Sequence, residues 1–122
     1  MNVLEFTEKF AALCLQTMKK EDYGDRRKRR LHYAAMEQLR ELARQGTASQ
    51  LESLLDHRDS RVRIQACAAC RERGLLMERS VETLRDVIVH EPDTTLKFSA
   101  SMLLKQYMED RVFNINLQYI RR

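Results

Sequence analysis

Two stretches of the chain, DSRVRIQACAAC from Asp59 and DTTLKFSASMLL from Asp93, share an Asp-x-x-aliphatic-basic pattern at a spacing of 34 residues. Upstream of each, LESLLDH from Leu51 matches LRDVIVH from Leu84 at a spacing of 33, so the second copy holds one extra residue in its turn. A period in the low thirties implies helical hairpins stacked on one another, since a single hairpin cannot bury its apolar side alone. A weaker third copy lies upstream: with Leu31, Val62 and Leu96 as the reference position, Ala35, Ala66 and Ala100 follow four residues on. Leu39, Cys70 and Leu104 follow after four more. Small side chains at one place in three helices form a packing row along which neighbouring helices can approach closely.

Local signals agree with the repeat. Apolar residues recur at helical spacing, as in Phe6, Phe10 and Leu13 or Leu39, Leu42 and Ala43. Breakers and caps divide them at Asp22 to Asp25, Gly46-Thr47, Asp59-Ser60, Gly74 and Pro92-Asp93. With only three Gly and one Pro, the chain is expected to be all-α, with helices at 3–20, 27–45, 48–57, 60–73, 78–90 and 94–109. These pair into hairpins at 3–45, 48–73 and 78–109, a right-handed α-α superhelix within one domain spanning 1–122. The tail at 110–122 alternates Ile115, Leu117 and Tyr119 with Asn114, Asn116 and Gln118. That period of two predicts an irregular, extended segment, which either caps the last repeat or pairs with another subunit.

The pattern resembles HEAT repeats of the short, phycobilisome-lyase type, in which the second helix of each hairpin opens with Asp-x-x-Val-Arg. Asp59, Val62 and Arg63 match that motif, and Asp93, Leu96 and Lys97 match it with two conservative changes. In the first copy Lys28 stands where the Asp belongs and His32 where the Arg belongs, a departure that touches the family's ion pair between repeats. The arrangement is also similar to small bacterial HEAT-like proteins without an assigned function. Such a resemblance implies a fold with second helices lining a concave surface, and with it protein binding in an adaptor or toxin-neutralising role.

Chemistry-bearing residues are few. The opening residues carry Glu5, Glu8 and Lys9 where a signal peptide needs an apolar run, so a cytoplasmic location and no membrane association are expected. Cys14, Cys67 and Cys70 make an odd count, which argues against a disulfide framework. The C-A-A-C at Cys67 to Cys70 could hold zinc with His57 and His90 or act as a redox pair. Its repeat register favours a third reading, because Cys70 takes the place of the apolar Leu39 and Leu104. No metal, cofactor or catalytic residue is assigned, for the carboxylates are scattered among helical partners such as Glu37 and Glu41 beside Arg40 and Arg44. An enzyme is therefore not expected.

Two surfaces remain as candidate binding sites. Nine residues after the reference position stand Arg40, Arg71 and Lys105, and two after it stand Tyr33, Ile64 and Phe98. At 100° per residue both rows point away from the packing row, and the resemblance places them on the concave side. A basic track beside an apolar ridge suits an acidic protein partner. The competing reading takes the same row, together with Arg26, Arg27, Lys28, Arg29 and Arg30, as a contact for nucleic-acid phosphates, consistent with a net charge of +4.

Overall fold

The computed structural model describes residues 1–16 and 24–120, with side chains described through Arg111. Six helices occur among them and no strand: α1 (Val3–Leu15), α2 (Arg26–Gln45), α3 (Ala48–Leu55), α4 (Ser60–Arg73), α5 (Met77–His90) and α6 (Thr94–Ile120). Each follows its caps. Asn2 opens α1 by accepting from the Glu5 amide, Asp25 opens α2 by accepting from the Lys28 amide, and Thr47 with Gln50 forms a capping box on α3. Asp59 and Asp93 cap α4 and α6 by accepting from the amides of Arg61 and Thr95. The repeated aspartate is thus an N-cap first. Gly74 closes α4 in the left-handed conformation at φ 64°, with the Leu75 amide reaching back to the Cys70 carbonyl.

Successive helices pair as α1 with α2, α3 with α4 and α5 with α6, and the hairpins stack in chain order. The sequence register is the packing register: Ala35, Ala66 and Ala100 are 3%, 0% and 0% exposed. Val62, Leu51, Leu54, Leu84 and Val87 are fully buried beside them. Helix α4 touches every other helix and forms the centre of the stack. Gly46 ends α2 with ordinary extended φ, but a Cβ there would lie 2.7 Å from Cζ of Phe6, so the turn into α3 passes directly over that ring. Arg73 reaches across to the same turn, donating to the carbonyls of Ala43 and Gly46 at the end of α2. A cation is well placed at that helix C-terminus.

Three expectations change. Residues 17–20 of the first expected helix lie outside the described residues, and the described helix ends at Leu15. Helix α3 stops at Leu55 rather than 57, where the Asp59 amide donates to Nδ1 of His57 at 3.0 Å. The tail is not irregular: α6 continues through Ile120. No Gly or Pro follows Pro92, and each residue added to an existing helix gains a hydrogen bond without a new nucleus, which overrides the local period of two.

Candidate functional site: the outer sides of the second helices

The C-A-A-C segment sits inside the molecule. Cys67 and Cys70 are 0% exposed and Cys14 is 1% exposed. Cys67 donates to the Ser80 carbonyl at 3.5 Å, while the Tyr107 hydroxyl of α6 donates to the Cys67 carbonyl at 2.5 Å. Burial pushes the thiols of Cys14 and Cys67 up to about 12 and raises that of Cys70. Thiols held in this form are weak nucleophiles and weak metal ligands. His57 uses Nδ1 as a backbone acceptor, and His90 lies 3.5 Å from Asp86 on its own helix. Among the described residues no group of three or more His, Cys, Asp or Glu is arranged to hold a metal ion.

Between the hairpins the charges are paired. Arg79 of α5 bridges Glu52 of α3 and its C-cap Asp56 at 3.3 and 3.0 Å, and Arg63 of α4 meets Asp86 of α5 at 3.0 Å. Arg63 also donates to Ser60, whose hydroxyl donates to Glu91 at 2.5 Å in the longer turn before α6. Each guanidinium links one hairpin to the next.

The two predicted rows do not form one continuous face. On α4, Arg71 is held by Asp110 of α6 through two bonds of 2.7 and 3.1 Å, which raises its affinity for its proton. Ile64 is only 8% exposed and belongs to the core, so it offers no apolar contact to a partner. The cause is stacking: Cys67, Arg71 and Ile64 fall within about 60° of one another on α4, and this side is packed by the third hairpin. The outer two members of each row differ. Tyr33 and Phe98 are 64% and 66% exposed, and Arg40 and Lys105 are exposed with them.

Arg40 borders a cleft of about 90 Å³ between α2 and α4, whose walls include Phe10, Met36, Leu39, Ala69 and Glu72. Lys105 and Phe98 lie instead on α6, with Met102 also exposed. Arg26, Arg27, Lys28, Arg29 and Arg30 occupy the first turns of α2, all exposed. Because Asp25 caps α2 three residues before the repeat position held by Lys28, this helix starts a turn early and carries its basic end beyond the packing row. Leu31, at the reference position, is 62% exposed, unlike the fully buried Val62 one repeat later.

A model of the family described as HEAT repeats matches residues 25–105, more than half of the chain. The chain is a HEAT-repeat protein. No curated protein and no solved structure matches it. HEAT repeats generally mediate protein–protein interaction, and the matched span of this HEAT chain runs from α2 into the first half of α6, the part of the chain that carries both rows. Among the described residues, no helix of the HEAT stack is long and apolar enough to cross a membrane. Sequence reasoning missed Asp110 and Tyr107, whose roles depend on where α6 crosses α4. No local signal hinted at Asp110, which has no basic residue three or four positions away.

Proposed function

We propose that this HEAT-repeat protein is a non-catalytic binding module for a partner protein that is acidic on its contact surface. The observation that carries this reading is the exposure of Tyr33 and Phe98, at equivalent positions of the first and third hairpins, beside exposed Arg40 and Lys105. Aromatic and basic side chains in this combination are what dominate protein interfaces energetically. The cleft beside Arg40 supports the same reading by its size. At about 90 Å³ it falls well short of the ~300 Å³ at which small-molecule sites begin, and it suits one apolar side chain of a partner. An adaptor or toxin-neutralising role, and the likeness to the phycobilisome-lyase type, are extensions of this reading that rest on the resemblance alone.

Nucleic-acid binding is the second reading, favoured by the exposed run Arg26 to Arg30 in the first turns of α2. The two separate by experiment. Affinity capture from the native cell is expected to return a protein partner that the double variants Arg40→Glu/Lys105→Glu and Tyr33→Ala/Phe98→Ala lose at least tenfold, with thermal unfolding unchanged. Reversal of Arg26, Arg29 and Arg30 should do less. Retention of the partner by both double variants would overturn the assigned surface, and steeply salt-dependent binding to arbitrary duplex DNA abolished only by the Arg26 to Arg30 reversal would hand the function to nucleic acid.

A further inference from the structure

The third hairpin ends the described stack, and it carries the counterpart of a face that the third hairpin covers on the second, while Tyr33 and Arg40 at the same positions of the first stay exposed. On α4, positions Arg63, Ile64 and Arg71 are met by the third hairpin: Asp86 pairs with Arg63 at 3.0 Å, Asp110 pairs with Arg71 at 2.7 Å, and Ile64 is buried. On α3 and its C-cap, positions Glu52 and Asp56 are met by Arg79. One repeat later the same positions are Lys97, Phe98 and Lys105 on α6, and Arg85 and Val89 on α5. Phe98 and Val89 are 66% and 69% exposed, and Met102 beside Phe98 is 44% exposed. Among the described residues these three apolar side chains stay largely uncovered, beside Lys97, Lys105 and Arg85.

From this correspondence we infer that the outer side of α5 and α6 docks an acidic helical hairpin of another protein. The partner's carboxylates take the places that Asp86 and Asp110 take one layer below. The inference rests on the protein-binding reading above and narrows it to one end of the stack. Charge selects the partner. The covered layer is mixed, with Glu52 and Asp56 opposite Arg79, whereas the corresponding positions at the open end are Arg85 and Val89. Lys97, Lys105 and Arg85 then ask for acid throughout, and Glu109, one turn beyond Lys105, marks where the basic stretch ends. Geometry selects a hairpin over a single helix, because the two cross-layer carboxylates below come from both helices of the covering unit, Asp86 from α5 and Asp110 from α6. A second copy of this chain is a poorer fit: its first hairpin has Gln45 at the position equivalent to Asp110, and Glu41 there is already near Arg44 at 3.6 Å.

The test is site-specific photo-cross-linking of the full chain in its native cell, with p-benzoylphenylalanine replacing Phe98 in one variant and Tyr33 in another. The expected result is a protein adduct at position 98 whose cross-linked peptide maps to a helical segment rich in Asp and Glu. Its yield should drop at least tenfold when Lys97→Glu and Lys105→Glu are added, while thermal unfolding stays as in the parent. An adduct to a second copy of this chain, to a segment without acidic helices, or to nucleic acid overturns the inference. So does a yield indifferent to the two lysine changes. Adducts at position 33 alone overturn it while leaving the protein-binding reading standing. Absence of adducts at both positions removes both.

Discussion

Gly46 and Gly74 are required for different physical reasons, and the difference is measurable. Gly74 adopts φ 64° with open space around it, so alanine there would suffer only the backbone cost of the left-handed conformation. Gly46 has an ordinary backbone but presses on Phe6. We expect Gly46→Ala to lower stability by about 1–3 kcal/mol through overpacking and Gly74→Ala by about 1 kcal/mol. In urea melts a Phe6→Leu background should rescue only the first. The buried thiols predict an alkaline signature. Their ordinary value is 9.0, and folding raises Cys14 and Cys67 to about 12. A group raised on folding stabilises the protein fully below its unfolded value, and that contribution is lost as pH climbs through the folded value. Urea midpoints should therefore be flat up to pH about 9 and fall between there and about 12, with Cys14→Ala/Cys67→Ala reducing the fall.

Helices here are set by their ends as much as by their faces. Asp25, Asp59 and Asp93 each satisfy amides of a first turn, a contribution of about 1 kcal/mol apiece. Moving one cap changes what a helix carries: the cap at Asp25 starts α2 a turn early, and its exposed first turns hold Arg26 to Arg30. Helix α6 shows the opposite case, an end that no breaker sets. Since residues 111–120 are helical, Asn114→Ala and Asn116→Ala should each favour the helix by about 0.5 kcal/mol and leave backbone chemical shifts helical. Shifts of strand type across this segment would contradict the fold described.

Cohesion of the stack runs through α4, whose contacts reach all three hairpins. An unpaired carboxylate at the fully buried Val62 should cost more than about 3 kcal/mol, and Val62→Asp is expected to abolish cooperative unfolding at ordinary temperatures. A thermal midpoint within a few degrees of the parent would show that this register is not the packing register. Stacking also decides which surfaces remain for partners. The third hairpin closes over the second with arginine–carboxylate pairs, and open basic and apolar positions are found at the cleft beside α2 and on the outer side of the third hairpin.

Much of this was legible in the residues alone. The repeat of 34, the alanine row and the capping aspartates specify helices, hairpins and the order of their stacking, because each depends on neighbours within a few residues or on a periodicity that survives without coordinates. The fate of Cys67 and Cys70 followed from the same register. The binding rows were only half legible. Periodicity states that Ile64 and Arg71 share an angle with Phe98 and Lys105, but angle is a property of one helix, and exposure is a property of what lies beside it. The third hairpin covers Ile64 and supplies Asp110 to Arg71, while no further described hairpin does so for Phe98 and Lys105. Nor could local pattern show that α6 continues through Ile120, since alternating residues in the tail satisfy a strand as readily as a helix until the helix before them is already formed.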